Sequence, residues 1–271
     1  MPELPEVETT CRGIRPHVAG RMIRAVNVRC RQLRWPVPKQ VDAMAGQRIS
    51  GVSRRAKYIL MDLDQGGTVI VHLGMSGSLR ICGNEVALRP HDHVVLQLDG
   101  GNELRYHDPR RFGCWLFTDS NPSQHPLLAK LGPEPLSSEF DGASLSENCK
   151  KRTAAIKQVI MDAHTVVGVG NIYACEALFA AGIHPRRKAS RVSRKRLDVL
   201  VDCIKEVLQR SINQGGTTLR DFLREDGQPG YFKQQLAVYD KEGESCMNCG
   251  NPVRRIVLGQ RSTYFCPSCQ R

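Results

Sequence analysis

The chain has 271 residues, enough for two domains that each bury a hydrophobic core. It carries 39 Lys and Arg against 27 Asp and Glu, a formal net charge of +12, which favours a polyanionic partner: nucleic acid, an anionic membrane or acidic proteins. Its longest apolar stretches, such as Val69–Val71 and Ala177–Ala181, fall far short of the ~20 residues that span a bilayer. The acidic start MPELPEVETT is unlike a signal peptide. We therefore expect an intracellular protein that does not span a membrane.

Short strands dominate the predicted structure up to about residue 131. Turn sequences such as Asp64–Gly67 and Asp99–Asn102 separate apolar or alternating runs, which is the pattern of an antiparallel sandwich or barrel. A helix is predicted before the strands, beginning near Pro5. The predicted strands are Arg21–Leu33, Tyr58–Leu63, Thr68–Leu73, Val94–Leu98, Glu103–Tyr106 and Cys114–Phe117.

Helical spacing dominates the second half of the chain. Residues Leu131–Asn148 have Pro, Gly, Ser and acidic residues without periodicity, and we interpret them as a linker. Helices are predicted after it, with a tight turn at Gly168–Gly170 between the first two. These helices cover Lys150–Ala163, Asn171–Ala181 and Arg194–Gln214.

Four of the 11 cysteines stand in two pairs near the C-terminus, while the other seven are scattered singly. The paired cysteines have the spacing CxxC-x16-CxxC, which is typical of a tetrahedral four-cysteine zinc site on a β-hairpin. A closed site of four thiolates leaves no open position for a substrate, so we expect one structural Zn²⁺. The hairpin either stabilises a short tail or presents its arginines to phosphate, and both interpretations remain open. The expected ligands are Cys246, Cys249, Cys266 and Cys269.

The first residues offer unusual chemistry. Removal of Met1 would leave Pro2 with a free secondary amine, and a free α-amine has a reference pKa near 7.7–8.0. Such an amine can attack a sugar carbon and give an iminium, with Glu3 or Glu6 as acid or base beside it. An acidic first turn is equally ordinary helix capping, so these residues alone leave both interpretations open.

Several long motifs, taken in their order along the chain, point to one protein family. MPELPEVE is followed by Lys57 in RRAKY, then HLGMSG (72–77), HDPRRFG (107–113), VVGVGNIYACEALF (166–179), QGGTTLRDF (214–222), DGQPGYF (226–232) and the four-cysteine hairpin. From Met1 to Arg271 this order closely resembles the formamidopyrimidine-DNA glycosylase family, bacterial base-excision enzymes for oxidised purines. Leu4 is also typical of this family, because the sister branch, endonuclease VIII, usually has Gly at that position.

The resemblance implies a covalent mechanism. Pro2 would attack the anomeric carbon of the damaged nucleotide, expel the base and form a Schiff base, and β- and δ-elimination would then cut the strand. Glu3 would be the general acid that opens the sugar ring, and Glu6 would position water and substrate. Lys57 would contact a phosphate beside the lesion and assist catalysis.

The resemblance also implies how the DNA is held. Met75, Arg110 and Phe112 would fill the space left by the flipped nucleotide, with Arg110 bonding the orphaned base. Further DNA contacts would come from His72, Arg111, Asn171 and Arg261. A loop over the extruded base would contain Thr217, Thr218, Arg220 and Tyr231.

The resemblance implies an α+β fold: an N-terminal antiparallel β-sandwich with an N-terminal helix, and a helix–two-turn–helix lobe that ends in a four-cysteine zinc-finger β-hairpin. We expect a β-sandwich catalytic domain over 1–133, a linker over 134–149, the DNA-binding helices and lesion loop over 150–230, and the zinc finger over 231–271. The DNA would lie in a basic cleft between the lobes.

The expected function is a bifunctional DNA glycosylase and lyase for 8-oxoguanine and formamidopyrimidines opposite cytosine. Its partner would be double-stranded DNA with oxidised bases or abasic sites, and the protein a cytoplasmic, nucleoid-associated monomer. The alternatives are an endonuclease VIII-type enzyme for oxidised pyrimidines and a non-catalytic zinc protein that binds nucleic acid. The run Arg186–Arg196 has seven basic residues and no acidic one; it is either a solvated face or a supplementary phosphate-binding strip.

Overall fold

The protein is described here by a computed structural model that covers residues 2–215 and 236–271. These residues divide into two compact units: residues 2–130 with 214 and 215, and residues 131–213 with 236–271. The helices are α1 (Leu4–Val18), α2 (Gly142–Cys149), α3 (Ile156–Ile160), α4 (Asn171–Ala180) and α5 (Arg194–Asn213). In the described part of the chain, no helix is long and apolar enough to cross a membrane.

Two antiparallel four-stranded sheets build the first unit, as predicted. Their strand orders are β1-β6-β7-β5 and β2-β3-β4-β8. The strands are β1 (Ile23–Val28), β2 (Ile49–Arg55), β3 (Tyr58–Leu63), β4 (Thr68–His72), β5 (Ser78–Gly83), β6 (Asp92–Leu98), β7 (Asn102–His107) and β8 (Cys114–Thr118). After β4 the chain crosses to the other sheet at β5, and after β7 it crosses back at β8.

Helix α1 packs on the same core as both sheets. Val7, Cys11, Ile14 and Val18 recur at three- and four-residue spacing and are at most 1% exposed, so one face of the helix is buried. This core also contains Trp115 and residues of both sheets. The packing fixes the start of α1, where the predicted catalytic residues lie, against the β-structure.

The second unit is mainly helical, and it corrects two predictions. Helix α2 occupies 142–149, so the linker interpretation is wrong there: Asp141 accepts a hydrogen bond from the Ser144 amide at 2.7 Å and caps the helix. The helix predicted over Lys150–Ala163 is shorter in the structure and covers only Ile156–Ile160. It cannot begin at Lys150, because Lys151 adopts a left-handed φ of 59°, which is incompatible with a helix.

The C-terminal hairpin is confirmed. Strands β9 (Arg254–Leu258) and β10 (Arg261–Phe265) pair antiparallel, and the turn between them consists of Gly259 and Gln260. Both turn residues have positive φ, 56° and 59°, which matches the twist of a two-residue hairpin. This turn places Arg261 at the tip of the hairpin.

Candidate active site and nucleic-acid interface

The predicted catalytic carboxylates lie buried at the start of α1. Glu3 is 3% exposed and Glu6 is 1% exposed. The Glu3 amide donates a hydrogen bond to Oε2 of Glu6 at 2.8 Å, so the Glu6 carboxylate also closes the first turn of the helix. Pro2, itself buried, is two residues before the helix. The structure therefore brings Pro2, Glu3 and Glu6 together at one helix terminus.

Lys57 and His72 are brought together by the register of neighbouring strands. Lys57 is in the two-residue turn between β2 and β3, where Ala56 takes a left-handed φ of 54°. The next residue, Tyr58, pairs with His72 on β4. Burial, and then the positive charges of Lys57 and Arg34, lower the pKa of His72 to about 4. His72 is therefore a neutral imidazole at pH 7.

Two neighbouring loops carry the predicted wedge residues. We call residues 73–77, between β4 and β5, the Met75 loop, and residues 108–113, between β7 and β8, the Arg110 loop. Met75 is 36% exposed and Phe112 is 45% exposed, so both are large apolar side chains at the surface. The Arg110 guanidinium lies 4.8 Å from the centre of the Phe112 ring, in a cation–π contact.

An open cavity adjoins these two loops. Its volume is about 520 Å³, and both of the exposed apolar side chains contribute to its wall. Arginines supply much of the rest, so the cavity combines apolar surface with positive charge. It is lined by Arg34, His72, Gly74, Met75, Arg110, Arg111 and Phe112.

Sequence reasoning missed Asp108, the buried first residue of the Arg110 loop. Asp108 is fully buried, and its carboxylate accepts hydrogen bonds from Ser76 Oγ at 2.7 Å and from the Gly113 amide at 2.9 Å. The motif HDPRRFG contains Asp108, but no pattern along the chain indicates that its partner Ser76 is 32 residues away.

Asn171 is the first residue of α4, and Gly170 rather than Asn171 is the N-cap. Its side chain faces the zinc hairpin: Oδ1 accepts a hydrogen bond from Lys157 Nζ at 2.5 Å, and Nδ2 donates one to the Ser262 carbonyl at 2.9 Å. Lys157, which sequence reasoning also missed, is 1% exposed and donates a second bond to Thr263 Oγ1 at 2.6 Å. A buried lysine thus connects α3, α4 and the hairpin.

The four paired cysteines form a site suited to one zinc ion. Their sulfurs all lie within 4.8 Å of one another. The Cys246–Cys269 and Cys249–Cys266 sulfur distances are 3.9 and 3.5 Å, close to the ~3.8 Å edge of a tetrahedron with 2.3 Å Zn–S bonds. A hydrogen bond from the Asn251 backbone is the largest influence on the Cys249 thiol, and its pKa falls to about 7. The residues fit a single structural Zn²⁺, as predicted.

A second buried carboxylate in this unit was not predicted. Glu176 on α4 is 2% exposed and accepts hydrogen bonds from the backbone amides of Ala237, Val238 and Tyr239 at 2.7, 2.9 and 2.9 Å. Burial raises the pKa of Glu176, and the three amides oppose that rise. Glu176 fixes the chain where it leads into the zinc hairpin.

Two other sequence predictions concern the basic run Arg186–Arg196 and the lesion loop. In the basic run, Arg194 pairs with Asp198 at 2.9 Å and Arg196 donates to the Gly182 carbonyl at 2.7 Å. These two arginines therefore have partners within the protein. The predicted lesion-loop residues lie outside the residues that the structure describes: Thr217, Thr218, Arg220 and Tyr231.

The fold and site together define a class. A sheet unit that buries two carboxylates beside Pro2, and a helical unit that ends in a four-cysteine hairpin, characterise DNA-repair glycosylases of the base-excision type. Three family models match the chain: the formamidopyrimidine-DNA glycosylase N-terminal domain over 1–115, its H2TH domain over 131–223, and a zinc finger found in FPG and IleRS over 243–271. The chain belongs to the formamidopyrimidine-DNA glycosylase family.

Known relatives agree over the whole chain. A formamidopyrimidine-DNA glycosylase of Methylococcus capsulatus is 59% identical, with 100% of both chains covered. The crystal structure of MutM (Fpg) from Thermus thermophilus matches with a TM-score of 0.89 at 39% identity, over 99% of this chain and 98% of that one. A Lactococcus lactis Fpg mutant bound to DNA containing Fapy-dG matches with a TM-score of 0.93 at 33% identity, with both chains fully covered.

Proposed function

We propose that this protein is a bifunctional DNA glycosylase and abasic-site lyase that removes 8-oxoguanine and formamidopyrimidines from duplex DNA opposite cytosine. The observation that carries the proposal is the pair of buried carboxylates, Glu3 and Glu6, beside Pro2 at the start of α1. The membership of the whole chain in a family of formamidopyrimidine-DNA glycosylases supports the same chemistry.

The nucleophile is Pro2 after removal of Met1. Its secondary amine attacks C1′ of the damaged nucleotide, so that a C–N bond forms and the glycosidic bond breaks. The base departs with the bonding electrons and takes up the proton that the amine nitrogen loses. Opening of the sugar ring protonates O4′ and leaves a cationic iminium at C1′. The iminium acidifies the C2′ proton, whose loss expels the 3′ phosphate; a second elimination expels the 5′ phosphate.

Each proton transfer needs a group at hydrogen-bond distance. We assign Glu3 as the acid that protonates O4′, because Glu3 follows the nucleophile directly in the chain and its side chain is buried from water. Glu6 positions substrate and water. Its bond to the Glu3 amide holds the turn that carries both carboxylates. A buried site of this kind strengthens these interactions, since the effective dielectric is low.

The residues that hold DNA are divided between the two units. In the first, Lys57 and His72 bind phosphate near the lesion, and Met75, Arg110 and Phe112 form the wedge that replaces the flipped nucleotide. Exposed apolar side chains beside a guanidinium suit this role, because they can intrude between bases while Arg110 bonds the partner base. The other assigned phosphate contacts are Arg111, Asn171 and Arg261.

The four-cysteine site has a structural role in this proposal. When bound, zinc holds the two cysteine pairs together and thereby fixes the fold of the hairpin. The hairpin in turn presents Arg261 at its tip to the DNA backbone. We further propose that the protein acts as a monomer in the cytoplasm and associates with the nucleoid through DNA.

A panel of lesion duplexes tests the proposal, with Glu3→Gln and Glu8→Gln as paired variants. Glu8 is a matched control, because its carboxylate also lies on α1 but pairs with Arg12 and Arg54 at 2.8 and 2.9 Å. We expect excision of 8-oxoguanine opposite cytosine by the wild type and by Glu8→Gln, and a large loss with Glu3→Gln. Excision confined to oxidised pyrimidines would favour an endonuclease VIII-type enzyme, and binding without excision of any lesion would favour a non-catalytic relative.

A further inference from the structure

The two wedge-bearing loops are side by side because of the strand pairing around them. The Met75 loop joins β4 to β5, and the Arg110 loop joins β7 to β8. His72 at the end of β4 pairs with Cys114 at the start of β8, and Ser78 at the start of β5 pairs with His107 at the end of β7. Both loops therefore cross from one sheet to the other at the same place.

The backbones of the two loops touch directly. A Cβ on Gly74, which has a φ of +66°, would lie 2.4 Å from the Gly113 nitrogen and 2.5 Å from the Phe112 carbonyl carbon. A Cβ on Gly113 would lie 2.3 Å from the His72 carbonyl oxygen. Neither position has room for a side chain, so the loops pack as one layer.

Asp108 ties this layer together. One carboxylate oxygen accepts from Ser76 Oγ in the Met75 loop at 2.7 Å, and the other accepts from the Gly113 amide in the Arg110 loop at 2.9 Å. The Tyr106 hydroxyl lies 3.1 Å from the second oxygen. Ser76 Oγ also accepts a hydrogen bond from the Arg110 amide at 3.3 Å. One carboxylate thus connects both loops.

The backbone of Asp108 adds further connections. Its amide donates to the His91 carbonyl at 3.0 Å, and its carbonyl accepts from the Arg111 amide at 3.2 Å. The His93 ring contacts the same carbonyl through Nε2 at 2.8 Å, and since a carbonyl only accepts, Nε2 carries the proton.

The layer has a buried part, which contains Asp108 and Ser76, and two exposed tips, at Met75 and Phe112. Asp108 and Ser76 are 0% and 7% exposed, whereas Met75 and Phe112 are 36% and 45% exposed. The exposed tips are therefore supported by a buried, hydrogen-bonded platform of protein.

We propose that Asp108 is a positioning residue that locks the Met75 loop and the Arg110 loop into one preformed wedge. The inference rests on the proposed function, in which Met75, Arg110 and Phe112 replace the flipped nucleotide. A preformed wedge lowers the entropy lost on insertion, because its side chains are already in place before DNA binds. Asp108 acts on base eversion and not on the chemistry at Pro2.

This role separates two activities of the same enzyme. Excision of a base from duplex DNA requires eversion and therefore the wedge. Cleavage at a preformed abasic site in single-stranded DNA requires the amine and the carboxylates, but there is no stacked base to remove. Loss of the wedge geometry should consequently reduce the first activity much more than the second.

The central test compares Asp108→Asn with the wild type in both assays. The substitution keeps the side-chain volume but replaces one carboxylate oxygen, an acceptor, with an NH₂ group, a donor. That NH₂ group would face either the Ser76 hydroxyl or the Gly113 amide, and both of these are donors in the wild type. We expect excision of 8-oxoguanine from duplex DNA to fall by about tenfold to a hundredfold, as for a misplaced positioning group, while single-strand abasic cleavage stays within a few-fold of wild type. Fluorescence of 2-aminopurine opposite the lesion should show reduced wedge insertion. An equal fall in both activities would overturn the proposal.

Two further variants keep the test decisive. Ser76→Ala removes both hydrogen bonds of Ser76 Oγ that connect the loops, the one to Asp108 and the one from the Arg110 amide, and it leaves the Asp108 carboxylate in place. If Asp108→Asn fails to fold, Ser76→Ala should still lose duplex excision while it keeps single-strand abasic cleavage, and a normal excision rate in Ser76→Ala would overturn the proposal. Asp92→Asn is the matched control, since Asp92 is equally buried and pairs with Arg80 and His107 outside both loops. Asp92→Asn should lower the stability of the protein, but the ratio of duplex excision to single-strand abasic cleavage should stay that of the wild type.

Met75→Ala distinguishes failure of this inference from failure of the proposed function. If Met75→Ala excises bases from duplex DNA at the wild-type rate, the wedge role that the proposed function assigns to Met75 is wrong. If Met75→Ala is impaired but Asp108→Asn and Ser76→Ala are not, the wedge stands and the positioning role of Asp108 is refuted.

Discussion

Tyr58 lies opposite His72 in the pairing of β3 with β4, and the centres of their rings are 4.9 Å apart. His72 Nδ1 accepts a hydrogen bond from the Gly74 amide at 2.9 Å, which requires that nitrogen to be unprotonated. Burial and the nearby charges of Lys57 and Arg34 lower the pKa of His72 to about 4. If His72 binds a phosphate, as proposed, a neutral ring makes the contact through Nε2–H.

An NMR titration of the imidazole nitrogens tests this state. We expect His72 to stay neutral down to about pH 5 and to titrate near its pKa of about 4. Because this folded-state pKa lies below the ordinary value of 6.5, the unfolded chain binds more protons between these pH values, and stability falls as pH drops through that window. His72→Gln should flatten this part of the stability profile, and His17→Gln, at an exposed site, should not. A midpoint near pH 6.5 for His72 would contradict the account.

Lys157 gives a second prediction. In Lys157→Met, Asn171 Oδ1 and Thr263 Oγ1 lose a buried donor, which should cost about 1–3 kcal/mol of unfolding free energy. Since Asn171 is assigned to phosphate, DNA affinity should also fall, as measured by fluorescence anisotropy. Lys205→Met is the control, because Lys205 is in the same unit and donates to the Ser137 carbonyl at 3.0 Å, whereas Lys157 donates to Asn171. Unchanged DNA affinity in Lys157→Met would separate the lysine from the DNA site.

Much of this fold is predictable because it depends on local pattern. Helix α5 has a regular apolar face, and the strands β3, β4 and β8 are short apolar runs, so the sequence predicts them directly. Strands β2 and β5 are not predicted, since they contain Arg, Ser and Gly and owe their place to pairing with neighbouring strands.

The site is predictable only in part, for a related reason. Glu3 and the four cysteines are indicated because those residue types have chemistry of their own, whereas Lys57 is indicated by the family resemblance alone. Lys157, Asp108 and Glu176 matter through burial and through partners up to 106 residues away, which no spacing along the chain reveals.

The zinc site gives a third prediction. Cys249→Ser removes one of four ligands, so zinc content should fall sharply, and the hairpin should lose its fold because metal binding and folding are one equilibrium. Thr263 and Ser262 lie on the hairpin and hold Lys157 and Asn171, so DNA affinity should fall with zinc content. The control variant Cys203→Ser, on α5, should keep both. Loss of zinc with unchanged DNA affinity would leave the hairpin as a clip that stabilises the tail.

The hairpin tip gives a fourth prediction. If Arg261 binds a phosphate, Arg261→Gln should weaken DNA binding and reduce the slope of log affinity against log salt concentration by about 0.9. Arg255→Gln is the matched control, since Arg255 lies on the same hairpin but pairs with Glu242 at 2.7 Å. Equal slopes for the two variants would remove Arg261 from the phosphate contacts.

The central claim is that Pro2 forms a covalent intermediate with damaged DNA. Intact-mass analysis combined with borohydride trapping on an 8-oxoguanine:cytosine duplex tests it most directly. We predict that the protein has lost Met1 and forms a reduced adduct whose attachment point is Pro2, and that blocking the terminus abolishes the adduct. Loss of Met1 without any adduct, or undiminished trapping by protein with a blocked terminus, would contradict the mechanism.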